Sequence, residues 1–427
     1  MKNYTVIVLL LLLLSVGVNA VTLEIWWTRP NEIAMVIKDM TNEYFTPKTD
    51  IDVNFTTMGY DDLWTKAMLA LAAGDTPDLA TFGSEWPVEF GMRGGLLDLR
   101  STFPEEFAEL EKKLYPGQMR SLEFMGTAYG LPLEFGFGLT YYRTDIFAEH
   151  GWEYPETWDD VRTLLPKMQA REMNMGCISQ YLLPDFQSTM NFIWQHGGVY
   201  VNDDGISSGL NSQKALNGFA EMMELFTDYK IPQEVIPMNT FASGEHPIVA
   251  GGNWNYSAVD QGFPNIRGKW SLGLNPGTRH LDGSVNHAVY NGPLPIGIFN
   301  NSKYQKESWE FIKWFFQEEV QAEYGRRVMQ TLPSGFFFSA NINVANQIDY
   351  FPKEHVQVMY EQSYQSMAPR YGLGSVVSQR HVSNAAMSVI LQSTEPKKAL
   401  LEAHSLVEAE MKRKQTEFAR YISRMKQ

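Results

Sequence analysis

Three strand-then-helix steps near the N-terminus do most to limit what this chain can become. Leu23 to Trp27 is a short apolar run, and Asn31 is placed to cap a helix in which Ile33, Val36, Ile37 and Met40 recur at helical spacing. Ile51 to Phe55 alternates apolar with polar residues, and Asp61 caps a segment whose Leu63, Ala67 and Leu71 share a face until Gly74 stops it. The turn residues Gly74, Asp75, Thr76 and Pro77 lead into a third strand, Leu79 to Phe82, and the chain after Ser84 can turn helical again. Consecutive β-α units of this kind require a parallel sheet covered by helices, which sets an α/β class. In open sheets of that class, ligands meet the carboxyl ends of the strands. The loops at those ends hold Trp26-Trp27-Thr28-Arg29 and Ser84-Glu85-Trp86. Indoles beside hydroxyl, guanidinium and carboxylate groups suit a ligand with flat apolar faces ringed by hydroxyls, a surface that sugars have. Trp26, inward on its strand, is expected to pack beneath its loop.

At 427 residues the chain exceeds one ordinary hydrophobic core, so at least two packing units are expected. Hydrophobic residues make up 44% and charged residues 20%, which argues against bulk disorder and against a polytopic membrane protein. Acidic residues outnumber basic ones, 49 to 35, for a net charge of −14 that would repel nucleic acid and anionic lipid. Lys2, the apolar run Val6 to Leu14 and the small residues ending at Ala20 read as a secretory signal peptide, residues 1–20, cleaved after about Ala20. That apolar run is shorter than the ~20 residues needed to cross a bilayer. The single cysteine, Cys177, allows no internal disulfide and is expected to be a small buried side chain. With no lipobox cysteine at the signal junction, a soluble periplasmic protein is expected.

Further along, the run Met68 to Leu99 contains Ala-Gly-Asp-Thr-Pro-Asp-Leu (73–79) and Gly-Gly-Leu-Leu-Asp-Leu (94–99). Tyr-Gly-Leu-Pro-Leu-Glu (129–134) leads to Leu-Thr-Tyr-Tyr-Arg-Thr-Asp-Ile-Phe (139–147), Pro-Glu-Thr-Trp-Asp-Asp-Val spans 155–161, and Phe-Ala-Ser-Gly spans 241–244. In this order, with a long helix after Ser302, these segments resemble the family 1 extracellular solute-binding proteins of carbohydrate ABC importers, the maltose-binding-protein-like group. The likeness covers nearly all of the mature chain. It implies a two-lobed periplasmic-binding-protein fold of type II, each lobe a sheet flanked by helices, joined by three hinge crossings. Short strand-like segments bearing Pro or Gly fit those crossings: Leu131-Pro132-Leu133, Val289 to Leu294, and Pro333-Ser334-Gly335. The N-terminal lobe would be 21–132 plus 294–335 and the C-terminal lobe 133–293 plus 336–427. The implied role is the soluble component of a sugar importer, a monomer that encloses a carbohydrate ligand and presents it to ABC permease membrane subunits. No nucleic-acid partner, cofactor or metal is implied.

Local patterns add detail. Ser302 and Gln305 form a capping box, Trp309, Ile312, Phe316 and Val320 make one buried stripe, and Gly325 ends that helix. The helix after Pro396 should bury Leu400, Leu401, Val407 and Met411 and leave its basic end solvated.

Candidate ligand-binding residues are Trp27, Thr28, Arg29, Glu85 and Trp86 from the first loops, and Trp254 and Asn255 from the Gly251-Gly252-Asn253-Trp254-Asn255 loop, where glycines permit close approach. The resemblance adds Glu134 as an acceptor of sugar hydroxyls, Asn291 at the second crossing, and Arg370 and Tyr371 in the turn Ala368 to Gly372. Trp194 is a weaker candidate. Arg29 and Arg370 together would favour an acidic or phosphorylated sugar through bidentate pairing. Catalysis finds little support. Gly205-Ile-Ser-Ser-Gly209 matches G-x-S-x-G but follows a turn rather than joining strand to helix. The eight histidines show no metal-ligand spacing, no phosphate-binding loop is present, and Asn202-Asp203-Asp204 lacks the spacing of a calcium loop. The competing readings are a secreted glycoside-active enzyme using Glu85 and Glu134 across a glycosidic bond, and a binder of a peptide or polyamine.

Overall fold

A computed structural model describes residues 21–425 apart from 333, 334, 346 and 348–350. The expected signal peptide, residues 1–20, therefore lies outside the described residues, as do Pro333 and Ser334 of the expected third crossing.

Three short strands open the chain: β1 (Val21–Trp27), β2 (Ile51–Thr57) and β3 (Leu79–Thr81), with β1 paired in parallel to both of the others. Alternation sets the register. Leu23, Ile25 and Trp27 share one face and enter a single core cluster, whereas Trp26 points the other way into a second cluster with Ala80 and Phe82. The helix Asn31–Met40 starts one residue earlier than its expected cap allows. Pro30 holds the cap position, makes no side-chain cap bond, and presets the entry with φ −50°. Likewise the helix Tyr60–Ala73 starts from Gly59, and Asp61 stands in its first turn, where a carboxylate meets the positive end of the helix dipole. Gly74 ends that helix at φ 73°, a left-handed conformation that a side chain would strain.

The remaining strands of the main sheet are β4 (Leu131–Tyr142), β5 (Met175–Cys177), β6 (Ile248–Gly252), β7 (Ser271–Gly273), β8 (Val289–Ile298) and β9 (Ser366–Met367). Their order with the first three is β2-β1-β3-β8-β4-β6-β5, with β7 also on β4 and β9 also on β8. Two long strands thus run through both lobes. The end of β8 pairs antiparallel with β3, its middle pairs with the first half of β4, and the second half of β4 pairs with β6 and β7. A third segment lies alongside: Phe135 N–H donates to Phe338 O at 3.1 Å, and Ala340 N–H donates to Leu133 O at 3.2 Å. A register shift between Leu294 and Pro295 falls among these crossings, where proline has no N–H to give the ladder.

Hydrophobic burial follows this frame. One cluster runs from Leu23 and Ile25 through Phe135 and Phe137 of β4 to Tyr256 and Trp270. A separate cluster, built on Trp158, Phe192, Met222 and Val407, fills the second lobe. Cys177 is buried among the latter, and burial pushes its thiol up to about 12, so it stays protonated.

Two helical expectations need correction. No capping box forms at Ser302: its hydroxyl donates to Asp78 at 2.6 Å, and Gln305 reaches Asn300 O instead. The stripe is buried but not one helix: Trp309 and Ile312 lie in Gln305–Phe315, Phe316 caps its end, Val320 lies in Glu318–Thr331, and Gly325 lies inside this second helix rather than ending it. In the helix Pro396–Glu417, which a last short helix Ala419–Met425 follows, Leu400, Val407 and Met411 are buried but Leu401 is exposed. Its basic end is solvated only in part: Lys412 and Arg413 are exposed, but Lys414 is not. Lys414, 6% exposed, donates to Glu89 at 3.2 Å, Phe418 packs into the cluster of Trp86 and Phe90, and so the last helices dock on the first lobe.

Candidate functional site

The carboxyl ends of strands from both lobes converge on a cavity of about 760 Å³. After β1 come Thr28, Arg29 and Ile33, after β2 comes Tyr60, and after β3 come Ser84 and Glu85. The second lobe contributes Gln180, Tyr181, Gln187 and Asn253 to Asn255, while Glu134 to Gly136 of β4 and Tyr290 and Gly292 to Leu294 of β8 form the floor. A volume of that size lies within the ~300–1,000 Å³ of small-molecule sites.

Trp254 owes its position to two glycines. A Cβ on Gly136 would lie 2.5 Å from the indole Cζ3, and one on Gly252 would lie 2.5 Å from the same atom, so the ring rests flush on the backbones of β4 and β6. Tyr181 stands 5.4 Å away and Tyr290 a further 6.2 Å beyond, giving an aromatic row along the second-lobe side. The turn that carries the indole is pinned by Asn253, whose amide donates to Phe135 O and accepts from Phe137 N–H, both at 3.3 Å. Asn255 also lines the cavity, but its Oδ1 accepts from Gly252 N–H at 2.8 Å, which fixes the turn.

Facing this row is an ion pair. Arg29 Nε donates to Glu134 Oε1 at 2.9 Å, and its Nη2 donates to the same oxygen. Burial works against the Arg29 cation, but the charge and hydrogen bonds of Glu134 outweigh it and raise its pKa. Both contacts fall on Oε1, so Oε2 and the outer N–H groups of Arg29 remain for a ligand. Glu85 is different. No cation pairs with it among the described residues; the Ser84 hydroxyl approaches at 3.3 Å, and burial raises its pKa against the opposing hydrogen bonds of Ser84 and Trp86. Desolvation and the nearby Glu85 raise the pKa of Tyr60 and Tyr290, so both phenols keep their protons to donate.

The structure brings together Thr28, Arg29, Glu85, Glu134, Trp254 and Asn255 of the sequence candidates and leaves out five others. Trp27, 1% exposed, packs edge-on to Phe55 and Phe315 in the core because it continues the Leu23 and Ile25 face. Trp86 lies behind the wall, 4.9 Å from the Tyr60 ring, and supports it. Asn291 is fully buried with its amide on Ser366, since alternation on β8 turns Tyr290 and Gly292 to the cavity and Asn291 away. Tyr371 is buried behind Tyr290, their hydroxyls 2.8 Å apart, and Arg370 lies outside the lining, where its charge opposes that of Arg120. The two arginines are therefore not set side by side for an acidic ligand. Trp194 stacks beneath Tyr290 rather than reaching the cavity. Sequence reasoning missed Tyr60, Tyr181, Gln187 and Tyr290. Tyr60 was within reach, because it follows the second strand at the same strand-end position that singled out Arg29 and Glu85.

Among the described residues no cluster of His, Cys, Asp or Glu could hold a metal ion, and no helix is long and apolar enough to cross a membrane. Residues 33–322 match the family described as bacterial extracellular solute-binding protein. A binding protein of Brucella abortus (strain 2308) is 24% identical over 289 residues, covering 64% of this chain and 66% of that protein. The lactose-binding protein of Rhizobium radiobacter is 26% identical over 281 residues, covering 61% of this chain and 63% of its own length. The chain thus spans about two thirds of the curated relatives it matches. The solved structure of the sugar-binding protein MalE from Xanthomonas citri superposes with a TM-score of 0.76 at 19% identity, over 93% of this chain and 99% of that one, so the two share a fold. With that two-lobed fold and the family match over most of its length, the chain belongs to the bacterial extracellular solute-binding proteins.

Proposed function

We propose that this chain is the soluble capture component of an ABC-type sugar importer, binding a mono- or oligosaccharide between its lobes and delivering it to membrane permease subunits. The observation that carries the reading is the cavity: a stacking indole with tyrosines on one side, and charged and hydroxyl groups on the other. A sugar ring has a C–H face for Trp254 and hydroxyls for Arg29, Glu134, Tyr60 and Tyr290. The names of relatives agree, one being a lactose-binding protein and the structural neighbour a sugar-binding protein. Arg29, Tyr60 and Glu85 belong to the first lobe, whereas Tyr181, Gln187 and Trp254 belong to the second. A ligand touching both sets favours the closed form, because half of those contacts exist only there. Periplasmic binding proteins close in this way, by hinge motion around the ligand, and no bond is made or broken.

In this reading the lobes divide near 132, 293 and 335, the leader is removed after about Ala20, and the mature protein works in the periplasm as a monomer. A thermal-shift screen over mono- and oligosaccharides, followed by calorimetry and a check for cleavage products, tests it. Saccharide binding should raise the melting temperature by mass action and leave the sugar intact. Trp254→Ala should weaken that binding several-fold to a hundredfold while the protein still folds. Stabilisation by peptides or polyamines, with none by any saccharide, would refute the proposal.

A further inference from the structure

Charge in the cavity is not balanced. Its charged lining residues are Arg29, Glu85 and Glu134, and the one cation is already held by two of its nitrogens on Glu134. Glu85 is left without a counter-charge among the described residues. Its carboxylate lies tight against the wall: a Cβ on Gly83 would meet Tyr60 Cε1 at 2.8 Å and Glu85 Oε1 at 3.2 Å, so ring and carboxylate are packed together over that glycine. Tyr60 keeps 43% of its surface exposed. Across the cavity a second acceptor is unused, because Gln187 Oε1 is buried with no hydrogen-bond partner. The site therefore offers a carboxylate without a counter-charge and an unpaired amide oxygen beside an aromatic face, and its one cation is already engaged.

A hydroxyl brings one proton to such a site and no charge. An ammonium brings three donors, accepts nothing, neutralises the carboxylate, and is attracted to an aromatic face within ~6 Å of its centre. Leaving a partly buried carboxylate without a counter-charge is unfavourable, so a ligand that brings one is selected over its neutral counterpart. Resting on the saccharide reading above, we infer that the preferred ligand is an amino sugar, a saccharide whose free amine is received by Glu85 beside Tyr60.

Matched sugars test this by calorimetry at pH 7.5: lactose, cellobiose and maltose, then lactosamine and the β-1,4-linked glucosamine disaccharide with free amines, and the N-acetylated forms of these last two. The expected result is at least tenfold tighter binding of a free-amine disaccharide than of its hydroxyl and N-acetyl counterparts. In Glu85→Gln that ratio should fall to about one. Equal or weaker binding of the free-amine forms by the wild type, or a preference that survives Glu85→Gln, overturns the inference while leaving the saccharide reading in place. Failure of every sugar in the set to bind, alongside binding of a peptide or polyamine, overturns both.

Discussion

Replacing Gly136 by alanine adds one methyl group beneath Trp254. The new Cβ would lie 2.5 Å from Cζ3 and 2.8 Å from Cε3 of the indole. Non-bonded carbons rest at about 3.5–4.0 Å, so the ring must retreat by roughly 1–1.5 Å. The Gly252 backbone and Tyr181 hem it in, which leaves two outcomes. If the ring stays, overpacking strain of about 1–3 kcal/mol lowers stability. If it swings away, the stacking platform is lost and affinity falls by roughly 10- to 100-fold, equivalent to about 1.4–2.8 kcal/mol. Urea denaturation and sugar titration of wild type, Gly136→Ala, Trp254→Ala and the double variant form a cycle. Without the indole the methyl group meets no ring, so the double variant should resemble Trp254→Ala alone, with a coupling of about 1–3 kcal/mol. A Gly136→Ala protein that matches wild type in both assays, or effects that add in the double variant, would refute the placement of the ring.

Other consequences are open to measurement. Glu134→Ala strands the Arg29 cation, and urea denaturation should show a loss of about 2–4 kcal/mol, less than the ~3–5 for a fully buried pair because Arg29 keeps 31% exposure. Glu85, faced by Ser84, Trp86, Tyr60, Tyr290 and Tyr371, with Arg29 and Glu134 beyond Tyr60, has a raised pKa. A raised folded-state value means its contribution is fully present below the unfolded pKa and is lost as pH rises through the folded pKa. Unliganded Glu85→Gln should therefore melt higher than wild type at pH 7.5, with the gap closing toward pH 4; a constant gap would contradict the argument. Asn253→Ala removes both bonds that tie the Trp254 turn to β4, so hydrogen exchange should show reduced protection of the Phe137 amide together with weaker sugar binding.

Legibility in the sequence followed the range of the interactions concerned. The first three β-α steps could be read because each depends on residues a few positions apart, and Gly74 stops its helix as its left-handed conformation requires. Trp27 was misplaced although the signal was present: Leu23 and Ile25 fix one face, and the next alternate position has to join it. Asn291 and Tyr290 differ by one position on a strand, and only the pairing of β8 with β4 decides which faces the cavity. Arg29 and Glu134 were both candidates, yet nothing local says that they bond each other rather than a ligand. That pairing, and the isolation of Glu85 that follows from it, required the fold. The docking of Lys414 on Glu89 was hidden for the same reason, since a basic helix end reads as solvated until a carboxylate from the other lobe is brought to it.

The path of β8 bears on how such a protein is made. Leu79 finds its antiparallel partner in Ile298, a residue synthesised only after the core strands and several helices of the other lobe. Until then β3 has a vacant edge, and the opening segments can form only the three-stranded sheet β2-β1-β3. Pairings so distant along the chain are slow to form. Closing the first lobe's sheet thus waits until residue 298 has been made, which couples that lobe's folding to synthesis of most of the chain.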